Sequence, residues 1–240
     1  MKDQYFGDIR DLFKFDITFQ ILKKLNLNHF IFIPLLTQDD SRTDGSKTKF
    51  SIAKAGKYNA DLSFFLQLKL KQKERKVADI SDFFDYFNIK TKVIEDYFNN
   101  QSRELYFKKA IKQLMPSSLI LLDPDNGIEV KNSNEKHVLF SEIGLLLNKI
   151  DDQSILMIYQ HFSRENHYKF TLKKITELSQ QTGINPLFIS DNDILFFFLS
   201  KSNAQLKKVS KTLSDYKKQY KKLIIDIKVF QNTQGFIDFD

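Results

Sequence analysis

The chain has 240 residues, of which 42% are hydrophobic and 28% are charged, so it can bury the core of one large domain and is not a disordered chain. It contains no Cys, which excludes disulfides, thiolate zinc sites and cysteine nucleophiles. The net charge of +7 permits a polyanionic partner such as nucleic acid, although only five of the 37 basic residues are Arg, and an AT-rich genome favours the same Lys-rich composition.

The apolar runs of the sequence are short. The longest, residues 30–36 and 194–199, are shorter than a transmembrane helix, and the first residues carry acids and lack the apolar core of a signal peptide. We therefore expect a soluble cytoplasmic protein with no membrane partner.

Helices and strands are predicted to alternate along the chain. Apolar spacing and turn residues predict helices over residues 7–26, 59–73, 104–115, 141–150, 164–182 and 203–222, one or two short helices within 79–100, and strands over 29–36, 119–122, 137–140, 154–159, 186–189, 194–199 and 223–230. This alternation indicates an α/β fold whose mainly parallel sheet has helices on both faces and one antiparallel strand from the late hairpin. We expect one α/β domain over residues 1–240, with residues 60–115 as a candidate helical insertion.

The most informative segment begins with the apolar run Leu119–Leu122 and ends in Asp123-Pro124-Asp125-Asn126-Gly127. The run is typical of a strand buried on both faces, and the polar cluster follows at its carboxyl end, where ligands bind in open α/β sheets. We therefore take Asp123, Asp125 and Asn126 as candidate catalytic residues. The alternative is a tight turn, because Asp, Asn, Pro and Gly are also the residues that turns favour.

Further candidates lie near two other predicted elements. His161 follows a buried strand and is a candidate general base, with Arg164 just beyond it; the alternative is that His161 satisfies backbone groups at the strand end. Asp8, Asp11 and Lys14 are spaced by three on the first helix and form a polar stripe, which is either part of a binding site or a solvated face with a salt bridge.

A metal site is the second interpretation of the acidic loop. Asp123, Asp125 and Glu129 supply the oxygen ligands that Mg²⁺ or Mn²⁺ prefers. Pro124-Asp125 followed by Glu129-Val130-Lys131 is similar to the Pro-Asp and Glu-x-Lys motif of metal-dependent nucleases, although the two halves stand closer together here.

The helix predicted over residues 203–222 is strongly basic. Its lysines form either a solvated face or a surface that binds phosphates. The residues proposed for nucleic-acid binding are Lys207, Lys208, Lys217 and Lys218.

Three segments resemble the methyltransferase-like Rossmann family, nearest the branch of bacterial large-subunit rRNA adenine-N6 methyltransferases and three-Cys-motif partner proteins. Asp11-Leu12-Phe13-Lys14 is similar to the family's Asp-x-x-Lys on the first helix. The segment 123–129 stands where the family has Asp-Pro-Pro-Tyr, and residues 159–164 stand at its next, aromatic-rich strand end. In order and spacing the resemblance covers most of the chain.

The resemblance implies S-adenosylmethionine as cofactor and a nucleic acid or nucleotide as substrate. It also implies that Lys14 and the loop after the first strand, with Asp39 and Asp40, complete the cofactor pocket. The family has several glycines in that loop, whereas this chain has one, Gly45; it also has Asp125 and Asn126 in place of the second Pro and the aromatic residue. We therefore expect a bacterial or phage-related enzyme acting on nucleic acid or a nucleotide; the alternatives are a metal-dependent nuclease or phosphodiesterase and a non-catalytic module that binds a nucleotide or a protein.

Overall fold

The computed structural model describes residues 1–39, 48–50, 54–72, 75–191 and 193–224. The helices of these parts are α1 (Ile9–Leu25), α2 (Ala60–Leu70), α3 (Ile80–Tyr86), α4 (Arg103–Lys112), α5 (Phe140–Lys149), α6 (His167–Thr182) and α7 (Asn203–Gln219). The strands are β1 (His29–Ile33), β2 (Lys90–Val93), β3 (Ser118–Leu122), β4 (Gly127–Ile128), β5 (His137–Val138), β6 (Ile155–His161), β7 (Leu187–Ser190) and β8 (Ile194–Leu199).

Six of the strands form one sheet in the order β2-β1-β3-β6-β8-β7. The pairs β1–β2, β1–β3 and β3–β6 are parallel, whereas β8 is antiparallel to both β6 and β7. The predicted α/β fold, with a mainly parallel Rossmann-like sheet and one antiparallel strand, is confirmed. The short strands β4 and β5 pair with each other in a separate ribbon.

Alternating residues of the sheet build two apolar cores. On one face, the core contains Phe30 and Phe32 of β1 together with side chains from α1, α2, α3 and α7. On the other face, Ile31 and Ile33 pack with side chains from α4, α5 and α6. This arrangement follows from the period of two along a strand, and it explains why the strands are apolar without interruption.

The order of the strands creates a switch point between β1 and β3. The chain passes from β1 outward to β2 and then returns to β3 on the other side of β1. Loops that leave neighbouring strands in opposite directions open a crevice at their carboxyl ends, which is where open α/β sheets bind ligands. The Asp123 loop follows β3 and therefore lies at this crevice; the backbone N–H of Asp123 donates to the carbonyl of Ile33, 2.9 Å away.

Several predicted boundaries are wrong, and one predicted strand lies mostly outside the described residues. The strand expected over 29–36 ends at Ile33, and the strand expected over 137–140 ends at Val138 because Phe140 begins α5. The segment 79–100 contains the edge strand β2 as well as α3. The strand expected to end at residue 159 continues through Gln160 and His161, which pair with β8. Of the strand expected over 223–230, only Leu223 and Ile224 are described, and neither is in a strand. No helix in the described ranges is long and apolar enough to cross a membrane.

Candidate functional site

The cavity at the switch point has a volume of about 370 Å³, which is within the size range of small-molecule sites. Four segments build it: the chain start with the first turns of α1, the loop after β3, Lys136 before β5, and the carboxyl end of β6. The residues that line it are Met1, Tyr5, Asp8, Arg10, Asp11, Lys14, Asp123, Pro124, Asp125, Asn126, Lys136, Tyr159, His161 and Phe162. Seven of the sequence candidates are therefore brought together: Asp8, Asp11, Lys14, Asp123, Asp125, Asn126 and His161.

A buried ion triad forms the floor of the cavity. The Nζ atom of Lys14 lies 2.7 Å from Asp11 Oδ1 and 2.8 Å from Asp123 Oδ2, and all three side chains are almost fully buried. The second carboxylate oxygen of Asp11 accepts from the backbone N–H of Gly7 at 2.8 Å. Lys14 thus joins α1 to the loop after β3, and the spacing of three that was visible in the sequence places Asp11 and Lys14 on the same face of the helix.

The triad is electrostatically strained by burial and held by mutual attraction. Burial raises the pKa of Asp11 and of Asp123, and the nearby Lys14 only partly opposes this rise. Burial acts to lower the pKa of Lys14, but Asp11 and Asp123 outweigh it and raise that pKa above its usual value. At neutral pH Lys14 is therefore an ammonium, and it holds the carboxyl groups of Asp11 and Asp123 rather than donating a proton.

Asp8 caps the first helix at the rim of the cavity. Its Oδ1 accepts from the backbone N–H of Arg10 at 2.8 Å and from that of Asp11 at 3.3 Å, which satisfies two of the free N–H groups of the first turn. Burial raises the pKa of Asp8, against the attraction of Lys14 and Arg10.

The Asp125 carboxylate binds the amino group of Met1. The two groups are 2.7 Å apart, and the same nitrogen donates to the carbonyls of Pro34 and Leu35 at 3.0 and 3.1 Å, at the end of β1. Burial acts to raise the pKa of Asp125, but the amino group outweighs it and the pKa is lowered. Asp125 is therefore ionised at neutral pH, at the mouth of the crevice between β1 and β3.

His161 and Tyr159 form the wall contributed by β6. The Tyr159 hydroxyl and His161 Nε2 are 2.8 Å apart and share a hydrogen bond. Burial, followed by the charges of Arg10 and Lys14, lowers the pKa of His161 to about 4. Burial and the charge of Asp123 raise the pKa of Tyr159 well above its usual value. At neutral pH the imidazole is therefore neutral and the phenol keeps its proton.

Gln160 sets the shape of the loop after β3. Its side-chain carbonyl accepts from the N–H of Ile128 at 2.8 Å, and its amide donates to the carbonyl of Asn126 at 3.0 Å. Gly127 between them has φ +114°, and a Cβ atom at that position would lie 2.2 Å from the Gln160 amide nitrogen. Gly127 is therefore required both by its backbone conformation and by the close approach of Gln160.

The remaining candidates lie elsewhere. Glu129 does not line the cavity; its Oε2 accepts from the backbone N–H of Phe140 at the start of α5, at 2.8 Å. Arg164 is exposed on the loop between β6 and α6, and Asp39 is exposed and accepts from the N–H of Gln4 at 3.1 Å. Asp40 is outside the described residues. On α7, Lys207, Lys208 and Lys218 are exposed and Lys217 is half-buried.

Seven of the cavity residues were not among the sequence candidates, and two of these, Arg10 and Lys136, have cationic side chains. Arg10 lies one position before Asp11 on α1, and its buried Nε makes no hydrogen bond to the described residues. Lys136 reaches the cavity because it precedes β5, and its backbone carbonyl accepts from the N–H of Asn126 at 2.8 Å. A stripe analysis of α1 would have found Arg10 through its neighbours. Lys136 depends on the β4–β5 ribbon, of which the sequence predicts only β5, within the strand expected over 137–140.

Comparison with known proteins gives no relative: no family model, no curated protein and no solved structure matches this chain.

Proposed function

We propose that this protein is a nucleotide- or nucleic-acid-directed enzyme whose switch-point cavity binds S-adenosylmethionine for methyl transfer. One observation carries the proposal: the Asp123 loop, the His161–Tyr159 pair and Lys14 of α1 line a single cavity at the carboxyl ends of the parallel strands. These are the three segments in which the sequence resembles methyltransferases.

The chemistry of the cavity residues fits that cofactor. S-adenosylmethionine carries a ribose diol, an α-ammonium and an α-carboxylate. The carboxylate of Asp8 is suited to the diol, and Arg10 and Lys136 are suited to the carboxylate, whereas Asp125 already binds the amino group of Met1. The buried Arg10 Nε without a hydrogen-bond partner among the described residues supports this role, because such a donor is costly unless a ligand satisfies it.

None of the described residues of the turn after β1, 34–39, lines the cavity, so this turn does not support the fit to the cofactor. The described part of the loop, residues 34–39, contains no glycine, yet Leu35 has φ +41°, in the left-handed region that glycine normally occupies.

The bound cofactor would supply an electrophilic methyl group. The residues of the chain would orient and deprotonate the acceptor. Asn126 is exposed at the cavity and offers an amide donor and acceptor to a base. A substrate amine must lose a proton on methylation, and the neutral His161 can take it at Nδ1 when its Nε2–H donates to Tyr159.

The metal-dependent alternative has less support. The ammonium of Lys14 lies between the carboxylates of Asp11 and Asp123, so it occupies the position that a divalent cation would need. Within the described residues, no group of three His, Asp or Glu side chains is arranged to hold a metal ion.

Titration calorimetry of the full chain with S-adenosylmethionine tests the proposal. Arg10→Gln should weaken binding roughly tenfold or more, because a charge-assisted hydrogen bond contributes about 1.5–3 kcal/mol. Arg164→Gln is the matched control, since this arginine is exposed outside the cavity, and it should bind like the wild type. Absence of binding heat from the wild type, or an equal loss in both variants, overturns the proposal. Binding of Mg²⁺ or Mn²⁺ without S-adenosylmethionine would support the metal-dependent alternative instead.

A further inference from the structure

We infer that the outer side of α7, together with residues 54–59, binds single-stranded nucleic acid, with Tyr58 stacking on bases and the lysines of α7 contacting phosphates. This inference rests on the proposed function, since it names the substrate class of that enzyme. Three features of the molecule support it: an exposed aromatic ring, a lysine stripe, and the position of both on the same edge of the sheet as the cavity.

Tyr58 is an exposed and rigidly supported ring. Its side chain is 60% exposed, although one face is stacked on Tyr220 with the ring centroids 5.2 Å apart and the planes at 21°. The backbone N–H of Tyr58 donates to the Tyr220 hydroxyl at 3.3 Å, and Lys57 Nζ lies 5.0 Å from the centre of the Tyr58 ring. A ring that is already fixed loses little conformational entropy when a base stacks on it, and each such stack is worth about 1–3 kcal/mol.

The support beneath Tyr58 is a buried network on α1. Tyr216 and Tyr220 donate their hydroxyls to Asp16 Oδ2 at 2.8 and 3.4 Å, and the Asn59 amide donates to Asp16 Oδ1 at 2.9 Å. Gly56 has φ +93° and packs so closely on α1 that a Cβ atom would lie 2.4 Å from the carbonyl oxygen of Leu12. These contacts fix residues 54–59 against both α1 and α7.

The lysines of α7 form a stripe on its outer side. Lys207, Lys211 and Lys218 are exposed and fall within about 40° of one another when each residue turns by 100°. They span about 17 Å at 1.5 Å per residue, and Lys222 just beyond the helix is also exposed. Asp215 is the one acid of this helix, and its 3.6 Å pair with Lys218 is solvent-exposed and therefore weak.

This surface lies on the same edge of the sheet as the cavity. His161, at the end of β6, pairs with Ile194 at the start of antiparallel β8, so β8 leads away from the cavity and α7 returns toward it. Lys54 Nζ lies 2.9 Å from Asp193, the residue before Ile194, which pairs with His161. A strand bound along α7 is therefore directed toward His161 and the Asp123 loop.

The exposed ring selects unpaired bases. A duplex hides its base faces in stacking and offers only its ends, whereas a single strand presents each base to an aromatic side chain. The lysines alone would bind either form through phosphates. Preference for single strands over a duplex of the same sequence is therefore the specific expectation.

Fluorescence anisotropy with a labelled single-stranded oligonucleotide, as DNA and as RNA, tests the inference on the full chain without S-adenosylmethionine. Tyr58→Ala should weaken binding roughly tenfold. Its matched control is Tyr86→Ala, because Tyr86 is a tyrosine 80% exposed on α3, and it should leave binding unchanged. Lys218→Gln/Lys222→Gln should also weaken binding, whereas Lys90→Gln/Lys92→Gln, with the same charge change on exposed lysines of β2, should have no comparable effect.

The outcomes separate this inference from the proposed function. Equal affinity of Tyr58→Ala and the wild type, equal losses in the test and control variants, or duplex binding as tight as single-strand binding would each overturn the inference. Oligonucleotide binding that depends on Tyr58 in a protein that gives no heat with S-adenosylmethionine would leave the surface standing and remove the methyl-transfer proposal. The affinities for the DNA and the RNA oligonucleotide show which of the two nucleic acids the surface prefers.

Discussion

His161 combines a position beside the acidic loop with a charge state set by its neighbours. It lines the cavity, shares a hydrogen bond with Tyr159, and lies near Arg10 and Lys14. Burial and these two cations both oppose a positive charge on the ring, which is why its pKa falls. A neutral imidazole is the form that can accept a proton near neutral pH.

His161→Gln should therefore change how stability depends on pH. In the unfolded chain a histidine takes up a proton near pH 6.5, whereas in the folded chain His161 does so only near pH 4. Its contribution is fully present above pH 6.5 and is lost as the pH falls toward 4, because the unfolded state then binds one more proton. The free energy of unfolding in urea should fall between pH 7.5 and 4.5 by roughly 2 kcal/mol less in the variant than in the wild type.

Proton NMR of the imidazole groups checks the same prediction directly. The resonance that disappears in His161→Gln should titrate in the wild type with a midpoint near 4. A midpoint at or above 6.5 would contradict the lowering of the His161 pKa by burial and by the charges of Arg10 and Lys14.

The sequence predicted the position of the site more accurately than the set of residues that form it. Asp123, Asp125, Asn126, His161 and Lys14 could be predicted because each follows a buried strand or falls on a helical stripe. Glu129 was grouped with Asp123 because the two are close in sequence. The turn at Gly127 directs the chain into β4, however, and the Glu129 carboxylate binds the start of α5 instead. The spacing of residues along a loop does not indicate which way their side chains point, whereas their spacing along a helix does.

Among the elements, the loop between β3 and β4 is the one whose shape the cavity depends on. Gln160 of β6 bonds to backbone groups on both sides of Gly127, so the loop is built against the neighbouring strand rather than by its own turn residues. This explains how a segment typical of a tight turn also forms one wall of a cavity.

Two Gly→Ala substitutions test that dependence. Gly127→Ala places a β-carbon in a strained conformation and against Gln160, so it should lower the free energy of unfolding by about 1–3 kcal/mol and weaken ligand binding at the cavity. Gly144→Ala is the control: it lies within helix α5 with no atom within 4 Å of the added carbon, so it should stabilise the protein by roughly 0.5–1 kcal/mol. Urea unfolding measures both values, and a Gly127→Ala variant as stable as the wild type would contradict the loop geometry.

Most helices and strands could be predicted because the pattern of their apolar residues directly reflects which side chains are buried. Helix α1 has apolar residues at helical spacing and an Asp8 cap, and β3 and β8 are continuous apolar runs. Strand β2 was missed because its sequence Lys-Thr-Lys-Val is half polar and pairs only with β1 at the edge of the sheet, where exposed lysines are common. Strand β4 has two residues and exists only because β5 pairs with it, a contact that local sequence does not encode.

At the scale of the whole molecule, the sheet is shared by two cores that draw on different helices in the described residues: α1, α2, α3 and α7 on one face, and α4, α5 and α6 on the other. Phe196 and Phe197 are adjacent on β8, are both fully buried, and belong to opposite cores. Phe196 packs on Phe13 of α1 with the ring centroids 5.2 Å apart. Because every central strand contributes to both cores, loss of either core removes the support of the other.

We therefore expect the chain to unfold as one cooperative unit. Phe196→Leu and Phe197→Leu should each lower the free energy of unfolding by roughly 1–2 kcal/mol, with an unchanged dependence on urea concentration. Hydrogen exchange followed by mass spectrometry should show the same loss of protection in peptides from α7 and from α6, although these helices cover opposite faces of the sheet. If Phe196→Leu reduced protection only in α7 and left α6 unchanged, the two faces of the sheet would be separate folding units. The cavity takes Lys14 from α1 and Asp123 from the loop after β3, so it would then form only when α1 is docked on the sheet.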